Sequence, residues 1–228
     1  MIPIGLFVTG TDTGVGKTRI ATALCRAYAA RGRRVAAMKP VASGCAATPA
    51  GLRNEDALSL WRAMTVPADY EEVNPYAFEA AIAPHLAAAE TATTIDFAVL
   101  DRAYETLRQR SDALIVEGAG GWLVPLDAHR SFADLALRWH LEVILVVGMR
   151  LGCLNHALLT AESIERRGLH LRGWVANAID FRYDRLAENV ASLRMRIGAP
   201  CLAVCDFAPV GDTESLAGTL AAHLIGAR

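Results

Sequence analysis

The sequence predicts an α/β domain with a mostly parallel central sheet covered by helices on both faces. Short, nearly unbroken apolar runs alternate with longer stretches of helical spacing, the pattern of strands buried on both faces and joined by crossover helices. Hydrophobic residues make up 53% of the 228 positions and charged residues 21%, which allows a substantial buried core. No linker, internal repeat or low-complexity tract divides the chain, so residues 1–228 are expected to form one domain.

Taken in order, IGLFVTG (Ile4–Gly10) reads as a buried strand, followed by a helix from about Gly16 to Ala30 that stops near Gly32. RRVAAMKPV (Arg33–Val41) is the next strand, stopped by Pro40. The alanine-rich Ala77–Glu90 is interrupted by proline and mixes loop with short helix. DALIVEGAGG (Asp112–Gly121) is a buried strand running into a glycine loop, LEVILVVG (Leu141–Gly148) is the clearest strand of all, and LRGWVANAI (Leu171–Ile179) is a further one. Ser131–His140 and Leu154–Arg167 carry helical spacing between them.

Bulk properties narrow the function. The net charge is −1 with no basic block or tail, which argues against nucleic acid as the main partner. The five cysteines form no C-x-x-C pair, and their apolar neighbours suit reduced, packed thiols better than zinc ligands. MIPIGLFVTG lacks a basic leader, and no apolar run approaches a membrane span, so a cytoplasmic protein with no membrane contact is expected. The six histidines are scattered, and neither a G-x-S-x-G elbow nor an H-E-x-x-H zinc motif is present.

The first strand runs into GTDTGVGKT (Gly10–Thr18) and then a helix, the context of a phosphate-binding loop and hence of a P-loop NTPase-like fold. Glycines turn backbone N–H groups inward, and the helix N-terminus adds partial positive charge. Lys17 would reach the outer phosphates and Thr18 would offer a hydroxyl to Mg²⁺. The loop carries one residue more than the common G-x-x-x-x-G-K-[ST] spacing, and a carboxylate, Asp12. The plainer alternative is a glycine turn with an incidental lysine.

Lys39, in MKPVASG (Met38–Gly44), ends the second strand. In a parallel sheet it would share the carboxyl-end rim with Lys17, or it is simply a solvated lysine. Ser43 lies in the same loop, where small residues commonly serve the turn. Glu117 ends a buried strand ahead of Gly118, Ala119, Gly120 and Gly121, and is placed to hold Mg²⁺ or to form a strand-end salt bridge. Asp56, in GLRNEDALSL, reads by itself as a helix-start carboxylate.

Together GTDTGVGKT, MKPVASG, GLRNEDAL, VNPYAF, VEGAGGW, ILVVGMRLGCLNHALLT and GWVAN, in this order, resemble the dethiobiotin synthetases, ATP-dependent carboxylases of biotin synthesis. The resemblance implies a reaction of 7,8-diaminononanoate, CO₂ and ATP that closes a cyclic urea through a carbamate and a carbamic–phosphoric anhydride. It implies that Lys39 and Lys17 are catalytic, and that Thr13, Gly14, Val15, Gly16, Lys17 and Thr18 bind nucleotide. Thr18, Asp56 and Glu117 would surround Mg²⁺, and Asn177 would contact the base. Thr13, Ser43, Gly118 and Gly120 would face the substrate. A homodimer is implied, with Gly152, Cys153, Leu154 and Asn155 of the other subunit holding the substrate carboxylate.

Two positions depart from the family pattern. Some members have Glu where this chain has Gly14, and many have an Ile-Pro step where Cys201–Pro209 reads CLAVCDFAP. The rival class is the nucleotide-switch ATPase of the partitioning and division-site type, which carries a second lysine where this chain has Asp12. Relatives that amidate carboxylates with ATP usually carry a glutamine-hydrolysing domain, for which this chain has no room.

Overall fold

A computed structural model describes residues 4–207 and 213–225. In chain order it contains β1 (Ile4–Gly10), α1 (Lys17–Ala29), β2 (Val35–Met38), β3 (Val41–Ser43), β4 (Ala46–Thr48), β5 (Gly51–Arg53), α2 (Glu55–Ala63), α3 (Tyr70–Val73) and β6 (Tyr76–Phe78). It continues with α4 (Pro84–Glu90), α5 (Phe97–Arg110), β7 (Ala113–Glu117), α6 (Phe132–Arg138), β8 (Glu142–Met149), α7 (Cys153–Arg166), β9 (Leu171–Ala178), α8 (Leu186–Arg194), β10 (Cys201–Cys205) and α9 (Thr213–Leu224).

The main sheet has six strands in the order β10-β9-β8-β1-β7-β2. Every neighbouring pair in it is parallel. Side chains alternate between its faces. Leu6 and Val8 of β1 join a core with Ile20 and Leu24 of α1, Leu60 of α2 and Leu220 of α9. Phe7, between them, points into the opposite core with Leu100 of α5, Phe132 and Leu135 of α6, Ala157 of α7 and Trp174 of β9. Burial on both faces is why these strands carry continuous rather than alternating hydrophobicity.

From β1 the chain crosses to one side for β2 and β7, then to the other side for β8, β9 and β10. The crevice at the carboxyl ends of the strands around β1 is therefore the topological switch point, where ligands of open α/β sheets bind.

The second strand is shorter than its apolar run suggests. Residues 33–41 were expected to form one strand stopped by Pro40, but β2 ends at Met38 and a separate β3 begins at Val41 and pairs with β6. Proline has no N–H for a ladder. The Lys39 peptide is instead held by α3 and the residue after it: its N–H donates to Val73 O (2.8 Å) and its carbonyl accepts from Asn74 Nδ2 (2.7 Å). The other strands and helices read from the sequence fall within a few residues of their expected bounds. The cysteines are all free, and four of them are buried. Of the CLAVCDFAP segment, Ala208 and Pro209 lie outside the described residues.

Candidate active site

The phosphate-loop motif forms a turn between β1 and α1, with Gly14 at φ 73° and Gly16 at φ 93°. At Gly16 both backbone and space demand glycine, because a Cβ there would overlap the Asn177 side-chain amide. Asn177, near the end of β9, braces the loop from behind. Its Nδ2 donates to Val15 O (2.8 Å) and its Oδ1 accepts from Arg19 Nη1 (3.1 Å). The loop's outer turn is tied to β8, where Thr11 N–H donates to Val146 O (3.0 Å) and Gly148 N–H donates to Thr11 Oγ1 (3.2 Å).

Sheet register brings the other charged residues to the same place. Val8 of β1 lies beside Glu117, and Met38 of β2 lies beside Val116, so Lys39 emerges next to Glu117 although 78 residues separate them. Lys39 Nζ donates to Glu117 Oε1 (2.5 Å), to Asp56 Oδ2 (2.9 Å) and more weakly to Gly118 O (3.4 Å). Thr18 Oγ1 donates to the same Glu117 oxygen at 2.9 Å. Asp56 reaches Lys39 from the first turn of α2, whose N-cap is Asn54, accepting from Ala57 N–H at 3.1 Å. Asp56 thus starts a helix, as its place in the sequence suggests, and also pairs with Lys39.

Lys17 is 7% exposed, Lys39 3% and Glu117 0%. Lys17 Nζ donates to the carbonyl of Asp12 at 3.0 Å. Burial, followed by the neighbouring charge of Lys39, pulls its pKa down to about 8. For Lys39, burial also pushes down, but the carboxylates of Glu117 and Asp56 outweigh it and hold the ammonium above its ordinary value. Lys39 is therefore a retained cation, and Lys17 one poised to lose its proton in mild alkali.

These side chains line a cavity of about 660 Å³ that also includes Thr13, Gly14, Gly16, Ser43, Gly120 and a far wall of Asn54 and Ala81–Pro84. Glu117 Oε2 and Ser43 Oγ are buried without a hydrogen-bond partner among the described residues. Buried polar atoms are seldom left so, and these two offer unsatisfied groups at the cavity. Thr18, Asp56 and Glu117 present hard oxygen donors of the kind Mg²⁺ takes. No cluster of three His, Cys, Asp or Glu side chains suited to a metal occurs among the described residues, so phosphate oxygens and water would have to complete such a site.

Other expected residues stand apart from the cavity. Val15 is buried beneath the loop, packed against Gly148. Gly118 touches the cluster only through its carbonyl. Gly152 and Asn155 are exposed at the start of α7, outside the cavity of their own chain. Cys153 there is turned inward with Sγ 3.9 Å from Tyr183 Oη, and its N–H donates to Arg150 O at 3.0 Å.

Three contributors were not anticipated. Asn74 and Tyr70 fix the Lys39 peptide, since Tyr70 Oη donates to Asn74 Oδ1 (3.1 Å) and accepts from Asn54 N–H (2.8 Å). Asn74 stands in VNPYAF, where a polar residue amid an apolar run was the available signal. Arg150, after β8, forms an ion pair with Asp12. The loop carboxylate thus meets an arginine of its own chain, and no lysine occupies its place as in switch ATPases.

Fold and site define a P-loop NTPase-type protein. The cell division ATPase MinD of Pyrococcus furiosus aligns over 99% of both chains with a TM-score of 0.58 at 19% identity. MinD of Aquifex aeolicus aligns over 98% of this chain and 97% of its own with a TM-score of 0.62 at 14% identity. At such identities the likeness is one of fold alone. A family model described as an AAA domain matches residues 4–214. The ATP-dependent dethiobiotin synthetase BioD of Pseudomonas paraeruginosa (strain DSM 24068 / PA7) is 55% identical over 86% of this chain and 86% of its own length. That of Xanthomonas campestris pv. campestris (strain 8004) is 48% identical over 92% and 94%. The chain belongs to the ATP-dependent dethiobiotin synthetase family. It is accordingly an ATP-dependent enzyme of the ligase class.

Proposed function

We propose that the protein makes dethiobiotin from 7,8-diaminononanoate, CO₂ and ATP. The observation that carries this is the buried Lys39–Glu117 pair, joined by half-exposed Asp56 and by Thr18, lining one cavity with Lys17 at the mouth of the phosphate loop. One substrate amine adds to CO₂ and loses a proton, giving a carbamate. A carbamate oxygen attacks the γ-phosphorus, the bond to the β-γ bridging oxygen breaks, and ADP leaves. The second amine attacks the carbonyl of the resulting anhydride and expels phosphate, closing the urea ring.

The substrate supplies both nucleophiles, so the protein need only orient reactants and neutralise developing charge. Backbone N–H groups from Gly14 to Thr18 cradle the triphosphate beside Thr13, with Lys17 on its outer phosphates. Lys39, held cationic by its two carboxylates, faces the carbamate and the transferring phosphoryl group. Thr13 and the unpartnered Ser43 hydroxyl orient the diamine end near Gly118 and Gly120. Asn177 contacts the base by exchanging its bond to Arg19 while it keeps its brace on Val15. Thr18, Asp56 and Glu117 would hold Mg²⁺, which would draw charge from the phosphate oxygens. The exposed Gly152 and Asn155, with half-buried Leu154 and the backbone of buried Cys153 between them, serve the partner subunit of a homodimer, where a helix N-terminus suits a carboxylate.

Purified protein incubated with the diamine, bicarbonate, Mg²⁺ and each nucleoside triphosphate tests this. Cyclic urea and phosphate should form in equal amounts. Phosphate release indifferent to the diamine, with no urea formed, would reject the assignment.

A further inference from the structure

The phosphate loop carries a carboxylate whose charge works against its function. The Asp12 side chain has two engagements: Oδ1 accepts the Thr13 N–H at 2.7 Å, and Oδ2 is ion-paired with Arg150. The first shapes the turn and needs only an oxygen, since an amide would serve equally. The second is purely a matter of charge. Arg150 is not needed to fasten the loop to β8, because Thr11 already does so through two backbone-based hydrogen bonds.

Charge around the cavity points to what the arginine does. Lys17 and Lys39 stand against Asp56 and Glu117, two cations against two carboxylates. Asp12 adds a third carboxylate beside the loop that receives the triphosphate, and its own carbonyl holds Lys17 Nζ at 3.0 Å. Left alone, it would repel the incoming anion. We propose that Arg150 is a positioning residue for nucleotide binding: it cancels the Asp12 charge and holds that carboxylate away from the triphosphate. The proposal rests on the phosphate-loop reading above. The pair is about half-exposed, 46% for Arg150 and 45% for Asp12, so it contributes little to stability and its variants fold. Its effect on a neighbouring polyanion is likewise screened, and grows as salt is lowered.

The test is equilibrium binding of Mg-ATP without diamine substrate, measured by displacement of a fluorescent nucleotide. Wild-type binding checks the phosphate-loop reading by itself: no binding there would reject that reading and this proposal with it, whereas the variant outcomes below bear on this proposal alone. Arg150→Gln should weaken binding about three- to tenfold at low ionic strength, with the gap narrowing at high salt. Arg150→Lys, which keeps the charge, should stay near wild type. Asp12→Asn combined with Arg150→Gln should restore affinity, because the asparagine still accepts the Thr13 N–H but carries no charge. A double variant as weak as Arg150→Gln would overturn the proposal, as would an Arg150→Gln defect indifferent to salt. Unchanged nucleotide affinity with a raised KM for the diamine alone would also overturn it, and would assign Arg150 to the substrate carboxylate instead.

Discussion

Replacing Lys39 by methionine removes the cation from between two carboxylates while keeping the bulk of the side chain. Glu117 is fully buried, whereas the Asp56 side chain is 47% exposed, so water can stabilise one carboxylate left behind but not the other. Breaking a buried pair by removing one partner costs about 3–5 kcal/mol, while the exposed half contributes less than about 1 kcal/mol. Lys39→Met should therefore lose about 3–5 kcal/mol, a drop of about 1–3 M in urea midpoint for a chain of this size. Glu117→Gln in the same background should recover most of it by removing the stranded charge. Burial already raises the Glu117 carboxyl and Lys39 opposes that rise, so the variant's carboxyl should climb further. A folded-state carboxyl that binds its proton more tightly than the unfolded chain gives stability that is present at low pH and lost as pH rises. The deficit of Lys39→Met should accordingly be smaller near pH 5 than near pH 8, where the unfolded carboxylate has a pKa of about 4.3. Equilibrium unfolding at both pH values measures this. A variant within about 1 kcal/mol of wild type, with no pH dependence in the difference, would refute the claim that Lys39 neutralises a buried Glu117. Turnover of Lys39→Ala at saturating nucleotide should fall far more than nucleotide affinity.

Two further outcomes follow from the loop. Lys17, pulled down to about 8, should lose its charge as pH rises through that value. Triphosphate affinity should decline above it, and Lys17→Arg, whose guanidinium stays charged, should flatten the profile; a wild-type Kd constant from about pH 7 to about pH 9.5 would contradict this. Gly14 and Gly16 both have positive φ, but only at Gly16 would a Cβ meet another group. Gly14→Ala should cost about 1–2 kcal/mol of backbone strain and retain nucleotide, whereas Gly16→Ala should cost more and displace Asn177 from Val15; equal costs in unfolding would count against the bracing role of Asn177.

Much of the site was legible because its parts are local. Gly16, Lys17 and Thr18 sit together in sequence, and the strand before them and helix after them carry their own hydrophobic patterns. Glu117 was legible for the same reason, as a carboxylate ending an apolar run before glycines. The long segment between Ala46 and Arg110 was less so, because β4, β5 and β6 have only three residues each and α3 four, too short to show a period. Lys39 could be placed at a strand end, but its confinement by Val73 and Asn74 depends on α3 packing against β2, which no spacing announces.

What the sequence by itself determined was the alternation of buried strands and helices, the turn that suits phosphate, and the order of motifs that marks the family. Those are consequences of chain-local chemistry: apolar periodicity, glycine conformations and a lysine at a helix start. Tertiary structure alone decided which charges meet. Register between β1, β7 and β2 joined Lys39 to Glu117 across 78 residues, and α2 then brought Asp56 to the same ammonium. The return of the chain after β8 set Arg150 against Asp12, 138 residues away. Ion pairing depends on distance through space and on burial, and neither is encoded in the spacing of residues along the chain.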